Sequence, residues 1–190
     1  SSVMCFRRDI EPKLLWSAIE AYEKFRPIDL VGFDLAGDEF KYNDFQDIKN
    51  AFSYVRNSLE LGITVHAGEF GGPENIWKAI VDLGAQRISH GLSAIDDPEL
   101  MDYLASHRIM IEVNLTSNIW LGAIKNIGYH PLRKFIEYGI PVSINTDNPV
   151  LLNISMETEI LTAIKYFNLS REDLTRIAFD SINCSFASKE

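Results

Sequence analysis

Residues 63–91 read ITVHAGEFGGPENIWKAIVDLGAQRISHG, and their periodicity decides the fold class. Residues 63–67 form a short β-branched apolar run that gives way to polar, glycine-containing sequence. Pro73 then opens a helical pattern at the position where a missing N–H costs nothing. Ile76, Trp77, Ile80 and Val81 recur at three- and four-residue spacing up to Gly84. Residues 87–90 form the next apolar strand, which again ends on a polar side chain before glycine. Strand, helix and strand in this order are the βα rhythm of a parallel sheet.

The same rhythm extends in both directions. Further strands are predicted at 3–6, 29–35, 109–114 and 141–145. Pro12 opens a helix with Leu14, Leu15, Ala18, Ile19 and Tyr22 on one face. Asp44 is the expected N-cap of another, with Ile48, Ala51, Phe52, Val55 and Leu59 in register and Gly62 as its stop. Asp97-Pro98 and Pro131 start two more. Segments at about 155–167 and 170–179 close the chain, the second from a Ser-x-x-Asp start resembling a capping box. Six strands with intervening helices fit either an open doubly wound sheet or part of an eight-stranded (β/α)8 TIM-type barrel. The first strand lacks a G-x-G-x-x-G turn, which disfavours the nucleotide-binding open sheet.

Composition bounds the rest. The 190 residues are 46% hydrophobic and 24% charged, with no linker-like stretch, and read as one domain over 1–190. A net charge of −9 repels a nucleic-acid backbone or an anionic membrane and leaves a neutral small molecule as the easier partner. Cys5 and Cys184 alone give neither a disulfide framework nor a C-x-x-C knuckle, so a cytoplasmic setting is expected. No apolar run is long enough to cross a bilayer. The chain opens directly on the apolar run SSVMCF, which reads as a cut through a larger protein.

Chemistry-bearing residues gather at the C-terminal ends of the strands, where both architectures place their sites. These ends are Gly37-Asp38-Glu39, His66-Ala67-Gly68-Glu69, His90-Gly91, Thr116-Ser117-Asn118 and Asn145-Thr146-Asp147-Asn148. Imidazole and carboxylate together are what a catalytic Zn²⁺ takes. Each residue also has a plainer reading. Glu69 suits the start of a helix, His90 a turn, and Asp38 and Glu39 a charged rim. His107 and His130 sit at helix ends and are read as structural.

DLAGDE (34–39), TVHAGE (64–69), RISHG (87–91) and SINTDNP (143–149) resemble, in order and approximate spacing, the strand-end motifs of adenosine deaminases. The resemblance covers essentially the whole chain, as the third to eighth βα units and terminal helices of that family's barrel. It implies zinc-dependent hydrolytic deamination of adenosine or 2'-deoxyadenosine, with one Zn²⁺ per complete site. It makes His66 a metal ligand and Asp147 a metal-proximal carboxylate that also contacts the zinc-bound water. Glu69 becomes the acid that protonates purine N1, and His90 the residue that orients or deprotonates the water. Gly37 corresponds to the glycine whose N–H meets purine N3, and Asn148 stands where the family usually has a second Asp facing N7. The family's His-x-His pair on its first strand has no counterpart here, so the chain alone is expected to be inactive. It is also expected to need a missing N-terminal segment or to associate with itself through an apolar opening. AMP deaminase and adenine deaminase share these motifs, and Arg7 and Arg8 are the nearest cations for a phosphate. A noncatalytic binding or assembly module is the alternative from another class.

Overall fold

A computed structural model describes residues 1–187. Six parallel strands form one sheet: β1 (Ser2–Arg7), β2 (Leu30–Ala36), β3 (Gly62–Ala67), β4 (Arg87–His90), β5 (Met110–Val113) and β6 (Val142–Ile144). They lie side by side in chain order. A doubly wound sheet reverses its strand order at a switch point, and this sheet does not, so the open-sheet alternative falls away. The architecture is an incomplete (β/α)8-type barrel with β1 and β6 as unpaired edges among the described residues.

The helices follow the expected rhythm: α1 (Pro12–Phe25), α2 (Phe45–Ser58), α3 (Pro73–Val81), α4 (Pro98–Ser106), α5 (Leu115–Trp120), α6 (Leu132–Tyr138), α7 (Pro149–Leu152), α8 (Met156–Phe167) and α9 (Arg171–Asn183). Asp44 caps α2 by accepting from the N–H of Asp47. Ser155 and Ser170 start α8 and α9 with reciprocal capping boxes. Gly62 is not the stop of α2. That helix ends at Ser58, Glu60 turns the chain with φ 57°, and Gly62 is already the first residue of β3. Two short helices, α5 and α7, were not anticipated, because each is under two turns and follows a strand end directly.

Alternation along the strands separates two faces. Phe33, Leu35, Ile63, Val65, Ile88, Ile111 and Val113 are at most 1% exposed and pack in the core with helix residues such as Leu15, Ile48, Phe52, Ile76 and Leu100. Asp34, Thr64, His66, Ser89, Glu112 and Ser143 occupy the alternate positions. Thr64 Oγ1 donates to Glu112 at 3.3 Å, and Arg87 forms an ion pair with the same carboxylate. The inner face was expected to open as an apolar surface. Over β2 to β5 it is polar, because it is wired by these bonds. Beside β6 lies an apolar cavity of about 470 Å³, between Met110, Ile144, Ile160, Leu174 and Ile177.

At the N-terminal end of the sheet Phe186 lies over Gly32 and Gly62, so close that a Cβ on either glycine would strike its ring. Arg87 covers the same ring, its guanidinium carbon 4.9 Å from the centroid. Bare backbone at these two strand positions is what admits the aromatic ring. No helix among the described residues is long and apolar enough to cross a membrane.

Candidate active site

The four strand-end motifs converge at the C-terminal end of the sheet. His66, on the inner face of β3, places Nδ1 3.1 Å from Asp34 Oδ1 on β2. A carboxylate only accepts, so Nδ1 carries the proton and Nε2 is left as the free lone pair. This carboxylate–imidazole pairing is the arrangement that orients metal-ligating histidines. Burial works against protonating His66, but the bond to Asp34 and the charges of Asp34, Glu112 and Asp147 outweigh it and raise its pKa above the ordinary value.

His90 ends β4 with φ 71°, a strained conformation that re-aims its ring. Register alone would turn this side chain toward the helices with Ala67. Instead the ring lies 5.2 Å from that of His66, centroid to centroid. It is buried, and its Nδ1 is met by the side-chain amides of Asn118 at 2.9 Å and Asn114 at 3.3 Å. Burial and the neighbouring His66 hold its pKa well below the ordinary histidine value.

Glu69 lies beyond β3 in the turn that precedes α3. It is not a helix N-terminal carboxylate, since α3 starts only at Pro73 and Glu74 occupies its first turn. Asn118 Nδ2 donates to Glu69 Oε1 at 2.9 Å, and that oxygen lies 3.4 Å from His90 Nδ1. Burial pushes the Glu69 carboxyl up to about 7, although the Asn118 bond and His66 pull the other way. A cavity of about 460 Å³ opens here, lined by Gly37, His66, Glu69 and the exposed rings of Phe40 and Phe70. That volume is in the range of small-molecule sites.

Asp147 follows β6 with φ 55° and is held by Ser117 Oγ, which donates to it at 2.6 Å. The Asn148 amide donates to the other Asp147 oxygen at 2.9 Å, so its donor is turned to its neighbour. Gly37 has φ 91°, and its carbonyl accepts from Arg8 at 2.9 Å.

Three residues read differently in the fold. Glu39 is not a rim charge: it is 7% exposed and accepts from a run of backbone amides, whereas Asp38 is exposed and paired with Lys41. Arg8 is not a rim cation. It is 2% exposed and donates to the carbonyls of Gly37 and His66 and to the Tyr42 hydroxyl, clamping the ends of β2 and β3. Asn118, fully buried, is the group that joins Glu69 to His90, and it was visible in the sequence only as part of Thr-Ser-Asn. His107 and His130 lie at helix ends. His107 stacks on Tyr103, and buried His130 accepts from the N–H of Leu132.

These titratable groups collect outside the carboxyl ends of parallel strands, the place where α/β-barrel proteins carry their active sites. The family model for adenosine deaminase matches residues 1–190. An adenosine deaminase of Vibrio cholerae is 45% identical over 159 residues, 84% of this chain and 47% of its own length. One of Klebsiella pneumoniae is 41% identical over 161 residues, 85% and 48% respectively. The chain therefore belongs to the adenosine deaminase family, a family of aminohydrolases, and spans about half the length of the curated relatives it matches. Among solved structures, an Arabidopsis N6-mAMP deaminase superposes with TM-score 0.86 at 26% identity, covering 98% of this chain and 55% of that one. An Arthrobacter aurescens adenine deaminase gives 0.89 at 24%, covering 98% and 56%, a likeness of fold.

Proposed function

We propose that the protein deaminates adenosine or 2'-deoxyadenosine hydrolytically, giving inosine and ammonia in a zinc-dependent reaction of the cytoplasm. The observation that carries this reading is Glu69, a carboxyl pushed up to about 7 at the wall of a cavity sized for a small molecule. Replacing a purine C6 amine by oxygen breaks ring aromaticity as water attacks, so a proton must reach N1 together with the nucleophile. A carboxyl still protonated near neutral pH can deliver it. His90, beside it, orients the attacking water, and Gly37 receives the base edge at N3. Asn148, in this assignment, turns its amide from Asp147 to N7 when the purine enters.

The donors present fit zinc in kind. His66 offers an imidazole nitrogen with its partner already fixed by Asp34, and Asp147 offers a carboxylate steadied by Ser117. They fall short in number, since catalytic zinc usually takes three protein ligands. Among the described residues no three His, Cys, Asp or Glu side chains gather to hold a metal ion. His66 and Asp147 are thus assigned as a partial ligand set, to be completed by groups outside this chain. Zinc, when bound, supplies hydroxide near neutral pH.

A nucleoside is favoured over a nucleotide by the two arginines. Arg8 is buried and spent on carbonyls, and exposed Arg7 is paired with Asp9 at 2.8 Å, so neither stands free for a 5'-phosphate. The test is conversion of adenosine, AMP and adenine by the chain joined to an N-terminal His-x-His segment of a relative, with zinc. Preference for adenosine supports the reading. Preference for AMP or adenine transfers it to the alternative substrate, and absence of any turnover removes it.

A further inference from the structure

The proton transfer assigned to Glu69 makes no use of Glu39, the most heavily bonded carboxylate at the site. Glu39 Oε2 accepts from the N–H of Gly68 at 2.7 Å and from Asn75 Nδ2 at 3.2 Å. Its Oε1 accepts from the N–H groups of Glu69 at 2.8 Å, Phe70 at 2.8 Å and Gly71 at 3.2 Å. Four consecutive backbone amides aimed at one carboxylate form an anion nest, here filled by a side chain of the protein itself. Residues 68–71 lie between β3 and α3 and belong to neither, and beside these five bonds the Gly68 carbonyl accepts from the N–H of Ser93 at 3.0 Å. Gly68 with φ 72° supplies the left-handed step that brings the amides round.

We propose that Glu39 is a positioning residue: its buried carboxylate templates the 68–71 turn and so fixes the backbone that aims Glu69 at Asn118 and the cavity. The proposal rests on Glu69 as the proton donor. A carboxylate is acceptor on both oxygens, and five donors use that capacity fully. Burial opposes the charge, but the amides of Phe70, Gly68 and Gly71 and the Asn75 side chain outweigh it, so Glu39 stays ionised. Glutamine has the right size and fails in a specific way: one oxygen becomes an NH₂ that confronts N–H donors. Aspartate keeps the charge but is one methylene too short to span from the β2 loop.

Asn118 provides a readout that does not depend on turnover, since its side-chain amide is bonded to Glu69 Oε1. In amide spectra of the 190-residue chain, Glu39→Gln should move the Asn118 side-chain resonance. It should also speed hydrogen exchange at residues 68–71 by about tenfold or more, the loss of one to two hydrogen bonds, while strand amides keep their protection. Asn75→Ala, which removes a single bond, should shift the same resonances in the same direction by less, and it carries the test should Glu39→Gln unfold. Glu39→Asp should recover part of the change. In the complete protein, Glu39→Gln should lower kcat about 10–100-fold with KM for adenosine within about threefold. An unmoved Asn118 resonance in Glu39→Gln and Asn75→Ala overturns the proposal. A complete wild-type protein that leaves adenosine intact overturns the reading of Glu69 instead, and the spectra still decide whether Glu39 sets the turn.

Discussion

Glu69 Oε1 lies 3.4 Å from His90 Nδ1, and a single buried amide, that of Asn118, touches both at 2.9 Å. The two groups assigned to proton delivery and water orientation thus share one structural neighbour. Asn118→Ala should cost about 1–3 kcal/mol of stability, the price of unpaired buried polar groups. Turnover of the complete protein should fall at least about tenfold, because both partners lose their common anchor. Chemical denaturation and steady-state kinetics check this, and a variant with ordinary kcat removes Asn118 from the site.

Burial of Glu69 also makes a stability prediction that needs no substrate. Its folded pKa of about 7 stands above the ordinary carboxyl value of 4.5, so the folded state holds a proton that the unfolded chain gives up between those two values. The group therefore costs nothing below the unfolded pKa. It costs progressively more as pH rises, and the full penalty is reached above the folded pKa. Glu69→Gln removes the penalty, so the variant should melt higher than wild type at pH 8 and equally at pH 4. In the complete protein the same substitution should cut deamination by roughly 10²–10⁴ while purine binding stays within about tenfold. Equal melting at pH 8, or near-normal turnover, contradicts the assignment.

Gly68 should not tolerate a side chain. At φ 72° an L-residue with Cβ is strained by about 1–2 kcal/mol, and the new methyl would stand 2.5 Å from Ile76 Cδ1 and 2.7 Å from Ser93 Oγ. Overpacking of that kind adds about 1–3 kcal/mol. Gly68→Ala is accordingly expected to destabilise the chain by about 2–4 kcal/mol, measured by urea unfolding. A loss below about 1 kcal/mol would falsify the picture of a tightly filled turn.

These sites differ in how much of them the sequence discloses. The βα units are legible because β-branched runs and three-to-four spacing are local signals. His66, Glu69, His90 and Asp147 stand out as candidates because each lies at or just beyond the end of a strand. Glu39 and Arg8 are not, since what defines them lies elsewhere in the chain. The amides that Glu39 binds are 29 to 32 residues away, and Arg8 reaches His66 across 58. Read locally, Asp38-Glu39 and Arg7-Arg8 are pairs of like charges, and nothing in the pair tells which member turns inward. His90 shows a further limit: its ring reaches the site only because a positive φ overrides strand alternation, and a following glycine is the sole hint of it.

The prediction with the widest consequence concerns the chain by itself. We expect the 190-residue chain to be inactive toward adenosine even with added zinc, because His66 and Asp147 are two donors where three are usual. Association is expected for a separate reason. Among the described residues β1 and β6 are each paired on one side only; β1 is exposed along nearly its whole length, including Val3 and Met4, whereas β6 is buried. The apolar cavity beside β6 leaves a second surface that gains by being covered. The polar bonding of the inner face from β2 to β5 works the other way, so recruitment should be confined to the β1 edge and the cavity beside β6. Light scattering of the purified chain should give a mass above that of the monomer. Adding an N-terminal segment of a relative that carries the His-x-His strand should lower that mass toward a one-to-one complex, bind about one zinc and start deamination. Substituting His66 by Ala in that complex should remove the metal. A monomeric chain that turns over adenosine unaided would overturn the assignment of the missing ligands, and zinc held fully by the His66→Ala complex would remove His66 from the ligand set.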